Sequence, residues 1–190
     1  MYLNFIGPYY FNKLPRIFDA STKARNFIYV WFVNVNGVKY LHYIGETRNI
    51  AKRQKEHLFN LLGLNYGIWD VYRKDVKLIW PGFWRLKDVP KDVFKFYKDF
   101  NQKIIDYINS ISIYFAKFTF GNLNAIKNKK PRNIRRYIEG RIAKYLRENL
   151  KQDKLRFYPN DNSTAVVVKG EIKNIIVDMR ATPLGIRFKL

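Results

Sequence analysis

The sequence predicts an α+β fold: a small antiparallel sheet built on a β-hairpin and flanked by helices. Three observations carry this. FIYVWFVNV, residues 27–35, is β-branched and aromatic almost throughout. Asn36-Gly37 follows and leads into VKYLHYIG from Val38, and two strand-like runs about an Asn-Gly are the strongest short-range signal for a hairpin. Further along, three segments repeat their apolar residues at helical spacing.

Taken in order, the near-continuous apolarity of the first run predicts a strand covered on both faces. A helix is expected over residues 48–62, with Thr47 or Asn49 as N-cap and Gly63 as its stop. Its inward stripe reads Ile50, Arg53, Gln54, His57, Leu58 and Leu61. A short strand at Val76–Trp80 ends in the turn chemistry of Trp80-Pro81-Gly82. Pro90 opens a second helix running to about Asn109, which packs Val93, Phe96 or Tyr97, Phe100, Ile104 and Ile108. ISIYFAKFTF, residues 111–120, reads as another strand. A third helix over residues 131–149 carries the stripe Ile134, Ile138, Ile142, Tyr145 and Leu146. After YPNDNST the tail offers two strands, Ala165–Val168 and Ile172–Asp178. With no internal repeat and no Gly/Ser linker, residues 1–190 read as a single domain.

Composition narrows the partners. An apolar fraction of 47% is too rich for a disordered chain. Lys+Arg 36 against Asp+Glu 15 leaves a net charge of +21, which self-repels unless a polyanion neutralises it. The chain has no cysteine, which excludes disulfides and thiolate metal sites. MYLNFIGPYYFNKLPR lacks the charged-then-apolar order of a signal peptide, and no run approaches the roughly 18 apolar residues of a membrane span. No helix sets Lys/Arg against a Trp/Leu face as a membrane-surface helix would. A cytoplasmic nucleic-acid-binding protein with no membrane partner is therefore expected, and a merely basic soluble protein is its plain competitor.

The stripe of the first helix is unusual because Arg53 and His57 lie on its apolar side. Ile28-Tyr29 in FIYV, then Tyr43-Ile44-Gly45, then Arg53 and His57 at their offsets, resemble the signature of the GIY-YIG nucleases. The family's catalytic carboxylate lies on a later helix, and Glu139, in RRYIEGRIAKYL, sits in a similar context. The resemblance covers residues 27–62 strongly and 111–149 loosely. Residues 63–110 then become an inserted helical region and 150–190 a C-terminal β extension. Two positions depart from the pattern. Phe27 stands where the family has glycine, and the family's late asparagine has three candidates, Asn149, Asn160 and Asn162, of which Asn160 in YPNDN is preferred. The resemblance implies a Mg²⁺- (or Mn²⁺-) dependent DNA endonuclease with catalytic Tyr29, Tyr43, Arg53, His57, Glu139 and Asn160, and with Glu139 as metal ligand.

These residue types suit that chemistry on their own terms. Phosphodiester hydrolysis needs a nucleophilic water, a proton acceptor, positive charge for the phosphate and help for the leaving oxygen. Arg53 is a permanent fork-shaped cation suited to phosphate oxygens. A carboxylate such as Glu139 can hold Mg²⁺ with few other protein ligands. His57 and a tyrosine are candidates for proton transfer, the tyrosine needing Arg53 or the metal to lower its pKa from about 10. Each residue also has an ordinary reading. The tyrosines can be strand aromatics, His57 a core histidine, and Glu139 the i,i+4 partner of Arg135.

KNKKPRNIRR, at the start of the third helix, supplies Lys127, Lys129, Lys130, Arg132, Arg135 and Arg136 for phosphates. Trp69, Trp80, Phe83 and Trp84 are read either as base contacts or as core. The compact build resembles the restriction-enzyme members of the family, which cut short sites in double-stranded DNA as homodimers. Homing, structure-specific repair and a catalytically silent nucleic-acid-binding protein are the alternatives. One geometric demand follows. With a strict two-residue loop, Tyr43 faces Val30 and Tyr29 projects from the opposite side of the sheet. Bringing both tyrosines to one site requires an odd-length loop near Asn36 or a bulge in the hairpin.

Overall fold

The computed structural model describes residues 1–13, 26–72, 77–83, 93–119, 130–150 and 174–190. Its elements are β1 (Tyr2–Asn4), β2 (Ile6–Tyr9), a 3-10 turn at Phe11–Lys13, β3 (Phe27–Val35), β4 (Val38–Thr47), α1 (Ile50–Leu62), β5 (Ile68–Asp70), β6 (Lys77–Trp80), α2 (Val93–Ser110), β7 (Ile111–Lys117), α3 (Pro131–Asn149), β8 (Ile176–Met179) and β9 (Ile186–Lys189). The fold is α+β, as the sequence predicts.

The hairpin forms where Asn36 and Gly37 sit, at φ 50° and 84°. Both are left-handed, the conformation that a two-residue turn needs to match the twist of its strands. The central antiparallel sheet has the order β2-β7-β3-β4. β3 is interior, which explains its unbroken apolar run: of its nine residues only Asn34 is exposed.

Because neighbours alternate faces, β3 feeds two cores. Phe27, Tyr29, Trp31, Val33 and Val35 pack with α1 and α2 on one face. Ile28, Val30 and Phe32 pack on the other against Ile134, Ile138 and Ile142 of α3 and against Leu3, Val177 and Phe188. Those last residues belong to a second sheet, of order β1-β8-β9, in which β1 and β8 run parallel. Phe27, which stands where the GIY-YIG pattern has glycine, is fully buried and meets Phe115 edge-to-face. It fills core volume where the family pattern has none.

Several sequence-level boundaries move. β8 is shorter than the strand expected at Ile172–Asp178, and the expected strand Ala165–Val168 lies outside the described residues. β1, β2, β5 and β9 have no counterpart among the strands the sequence predicts. Strands of three or four residues, one containing Gly7-Pro8, are too short to display an alternation. No described helix is long and apolar enough to cross a membrane.

Candidate active site

The hairpin meets its geometric demand with a bulge. Val35 pairs with Val38, so the loop has two residues and not an odd number, and pairing continues to Phe32 with Leu41. The next pair is Trp31 with Tyr43, which leaves His42 as the extra residue. The bulge moves Tyr43 onto the face that carries Tyr29 and Trp31. The two tyrosine rings lie 5.8 Å apart at 28°. Gly45 pairs with Tyr29, and a Cβ there would overlap the Tyr29 phenol and the Tyr43 ring. Glycine at 45 is thus required by a close approach of rings.

α1 starts at Asn49, whose side chain accepts from the Lys52 backbone N–H. From that start, Arg53 and His57 turn toward the sheet. His57 is 1% exposed, with Nε2 2.7 Å from Tyr29 Oη and Nδ1 3.2 Å from Tyr66 Oη. Arg53 Nε donates to Tyr29 Oη at 3.4 Å, and its Nη1 donates to Glu56 at 3.1 Å. Trp31 lies edge-on to His57, with centroids 4.6 Å apart, and donates to Gln54 Oε1. Tyr29, Tyr43, Arg53 and His57 therefore share one face.

Burial governs the electrostatics. It holds the Tyr29 phenol well above its ordinary range, Tyr43 adds to that, and Arg53 works against it. The expectation that Arg53 would bring a tyrosine down toward neutrality fails for Tyr29, because desolvation of a fully buried phenolate outweighs one partly exposed guanidinium. Burial and Arg53 both push His57 well below its usual value, so its ring is neutral. Tyr43, like Tyr66, is only half-buried.

Glu139 arrives from the other side of the sheet. α3 packs over the opposite face, and β4 is the edge strand. Glu139 lies within the electrostatic reach of Glu46 on β4 and of Arg53 on α1. Its carboxyl is pushed up to about 7, first by burial and then by Glu46, while Arg136 and Arg53 act the other way. An i,i+4 bridge to Arg135 does not account for Glu139, since Arg135 turns elsewhere. Its Nε donates to Glu46 at 2.5 Å and its Nη1 to Asn26 at 3.1 Å.

That also corrects the assignment of Arg135 to phosphates. At 7% exposure it is buried as a brace between α3 and β4, because Ile134, Ile138 and Ile142 turn its face of the helix inward. Lys130, Arg132 and Arg136 are exposed on the first turns of α3. Lys127, Lys129, Asn160 and Asn162 lie outside the described residues. Asn149 caps the Tyr145 carbonyl, about 15 Å along the helix from Glu139. Trp80 is core, donating to the Leu64 carbonyl at 2.7 Å. Phe83 and Trp69 pack partly buried against the same core, and Trp84 is outside the described residues.

Three site residues escaped the sequence reading: Glu46, Glu56 and Tyr66. Glu56 had a signal, its i,i+3 spacing from Arg53. Glu46 and Tyr66 had none. Tyr66 reaches His57 because Leu64 adopts φ 57° at the end of α1 and folds the chain back. A leucine in that conformation is costly, and full burial of its side chain holds it there.

The donor set fits a hard divalent cation of the Mg²⁺ kind. A carboxyl raised by burial and by a second carboxylate, here one ion-paired to Arg135, regains its ionised form when a cation binds it. The described residues contain no group of three His, Cys, Asp or Glu that would form an all-protein cage. Mg²⁺ does not need one, since it keeps waters and phosphate oxygens in its shell. No protein-family model, no curated protein and no solved structure matches this chain.

Proposed function

We propose that this chain is a metal-dependent, site-specific endonuclease of the GIY-YIG type that hydrolyses phosphodiester bonds in double-stranded DNA, with a restriction-like role. The observation that carries the reading is the His42 bulge, which puts Tyr43 on the face of Tyr29 where α1 brings Arg53 and His57. A plain hairpin would have separated the tyrosines, and a bulge beside a cluster of hydrogen-bonded polar side chains is a common device at active sites.

The side chains divide the work. Tyr29 and Glu56 each take one Arg53 donor and hold the guanidinium plane, leaving its other N–H groups for phosphate oxygens. Tyr43 offers a half-buried phenol stacked beside the buried Tyr29. Neutral His57 is able to receive a proton through Tyr29, so no buried phenolate has to form. Glu139, within electrostatic reach of Glu46, would hold Mg²⁺ or Mn²⁺. Such an ion supplies positive charge to the phosphate and acidifies a bound water. Exposed Lys130, Arg132 and Arg136 supply sequence-independent attraction for the backbone, and a palindromic site would call for a two-fold homodimer.

Incubation of the protein with plasmid DNA and Mg²⁺, beside an Arg53→Ala, Glu139→Ala double variant, tests the reading on a gel. Discrete fragments from the wild type alone support it. Retardation without cutting by either protein replaces it with a silent DNA-binding role.

A further inference from the structure

His57 is held from both sides, and the family resemblance accounts for only one of them. We propose that Tyr66 is a positioning residue that fixes His57 as its Nδ1–H tautomer and so sets the polarity of the hydrogen-bond chain serving the reaction. The catalytic consequence rests on the nuclease reading, whereas the tautomer does not.

The assignment follows from donor counting. A guanidinium only donates, so Tyr29 Oη accepts from Arg53 Nε at 3.4 Å. Tyr29 is 0% exposed. Its hydroxyl has two further partners, Tyr43 and His57 Nε2, the latter at 2.7 Å. An imidazole nitrogen is a stronger acceptor than a phenol oxygen, so the Tyr29 O–H goes to Nε2 and Tyr43 is left as a donor. A neutral imidazole that accepts at Nε2 carries its proton on Nδ1, and Nδ1 faces Tyr66 Oη at 3.2 Å.

Tyr66 is prepared to accept. Asn60 Nδ2 donates to the Glu56 backbone carbonyl at 2.8 Å, and Asn60 Oδ1 receives Asn65 Nδ2 at 2.9 Å. Because a backbone carbonyl cannot donate, the Asn60 amide has one orientation. Its remaining N–H points at Tyr66 Oη, 3.4 Å away. Both lone pairs of the Tyr66 oxygen are then occupied, and its own hydroxyl hydrogen turns to the half-exposed side of the ring.

The polarity matters for proton uptake. A proton delivered to Tyr29 from the Tyr43 side is balanced by the Tyr29 proton passing to Nε2. Tyr29 stays a phenol and His57 becomes an imidazolium bonded to Tyr29 through Nε2–H and to Tyr66 through Nδ1–H. The opposite tautomer already carries a proton on Nε2 and cannot take another there. Removing the Tyr66 oxygen strands the Nδ1–H in a buried site, which favours that opposite tautomer.

The chain contains two histidines, so nitrogen-15 spectra of the imidazoles hold two sets of ring signals. Wild-type protein is expected to show His57 with a protonated Nδ1 and a bare Nε2. Tyr66→Phe is expected to show a population with protonated Nε2. With plasmid DNA and Mg²⁺, its single-turnover rate should fall about tenfold, while its DNA affinity stays within about twofold. A bare Nδ1 in the wild type overturns the assignment, whether or not the protein cuts DNA. An unchanged tautomer and rate in a folded Tyr66→Phe variant overturn the role of Tyr66. If that variant fails to fold, the wild-type spectrum still decides the tautomer. A wild type with the expected tautomer that cuts no DNA sinks the nuclease reading and leaves the assignment standing.

Discussion

The two faces of β3 are made by alternate residues of one nine-residue strand, yet they do different things. The face of Ile28, Val30 and Phe32 meets aliphatic residues of α3 and is dry packing. The face of Tyr29 and Trp31 is just as buried, but its aromatics carry polar atoms bonded to His57 and Gln54. Apolar burial contributes non-directionally, at about 25 cal/mol per Å². A buried polar network is useful only if each member has its partner in place. One face can tolerate repacking, therefore, and the other cannot tolerate a shift in register.

Variants can break or sharpen this contrast, starting with the largest effect. Arg53→Ala should reduce DNA cleavage about a thousandfold, some 4 kcal/mol at the transition state, with little change in thermal midpoint. Cleavage at the wild-type rate would remove the site face from the chemistry. Ile138→Ala is the mirror experiment. It should cost about 3 kcal/mol of stability by leaving a cavity, and cut normally at temperatures where it stays folded; chemical denaturation and cleavage assays on one preparation would show both. Gly45→Ala should affect both properties, losing about 1–3 kcal/mol because the new methyl displaces the Tyr29 and Tyr43 rings. A variant as stable and active as wild type would show that the rings have room.

pH provides a finer test. The Glu139 carboxyl is raised in the folded state to about 7 from 4.5. The unfolded chain therefore releases that proton first, and the stability it contributes at low pH is lost as pH rises through 7. Glu139→Gln should match the wild type near pH 4 and exceed it above pH 8 by on the order of 1 kcal/mol, a value reduced for partial exposure. Added Mg²⁺ should narrow the gap. His57 works in the opposite direction: its lowered value means stability falls as pH drops below about 6.5. Thermal melts at several pH values would reveal either sign as wrong. The smallest effect concerns the basic residues of α3. Arg132→Ala should lower the log–log salt slope of DNA binding by about 0.9, whereas folded Arg135→Met should leave it unchanged, since Arg135 braces Glu46. Equal slopes for both variants would put Arg135 back among the phosphate contacts.

Much of the site was legible because it rests on local rules. Asn36-Gly37 identifies the hairpin, and Arg53 and His57 stand out as polar residues on a 3.6-residue apolar stripe. The basic run KNKKPRNIRR, read as a phosphate-binding segment, put Arg135 on the surface, and the structure reverses that. A residue next to Ile134 on a helix packed over a sheet is buried whenever a partner waits there, and that partner, Glu46, is 89 residues away. β1 and β2 were missed for a related reason: their pairing with β8 and β7 spans most of the chain, and such short strands gain order only from those partners.

The sequence by itself determined the hairpin, the three described helices, the interior position of β3 and the inward stripe of α1. Turn conformation and side-chain period are properties of adjacent residues, so they can be read without a fold. Only the tertiary structure decided that the register shift is a bulge at His42 and not a longer loop. It alone brought Tyr66 within hydrogen-bond distance of His57 and set Glu139 within electrostatic reach of Glu46 on β4. Those outcomes depend on where distant backbones meet and on how completely water is excluded between them. No local pattern encodes either quantity.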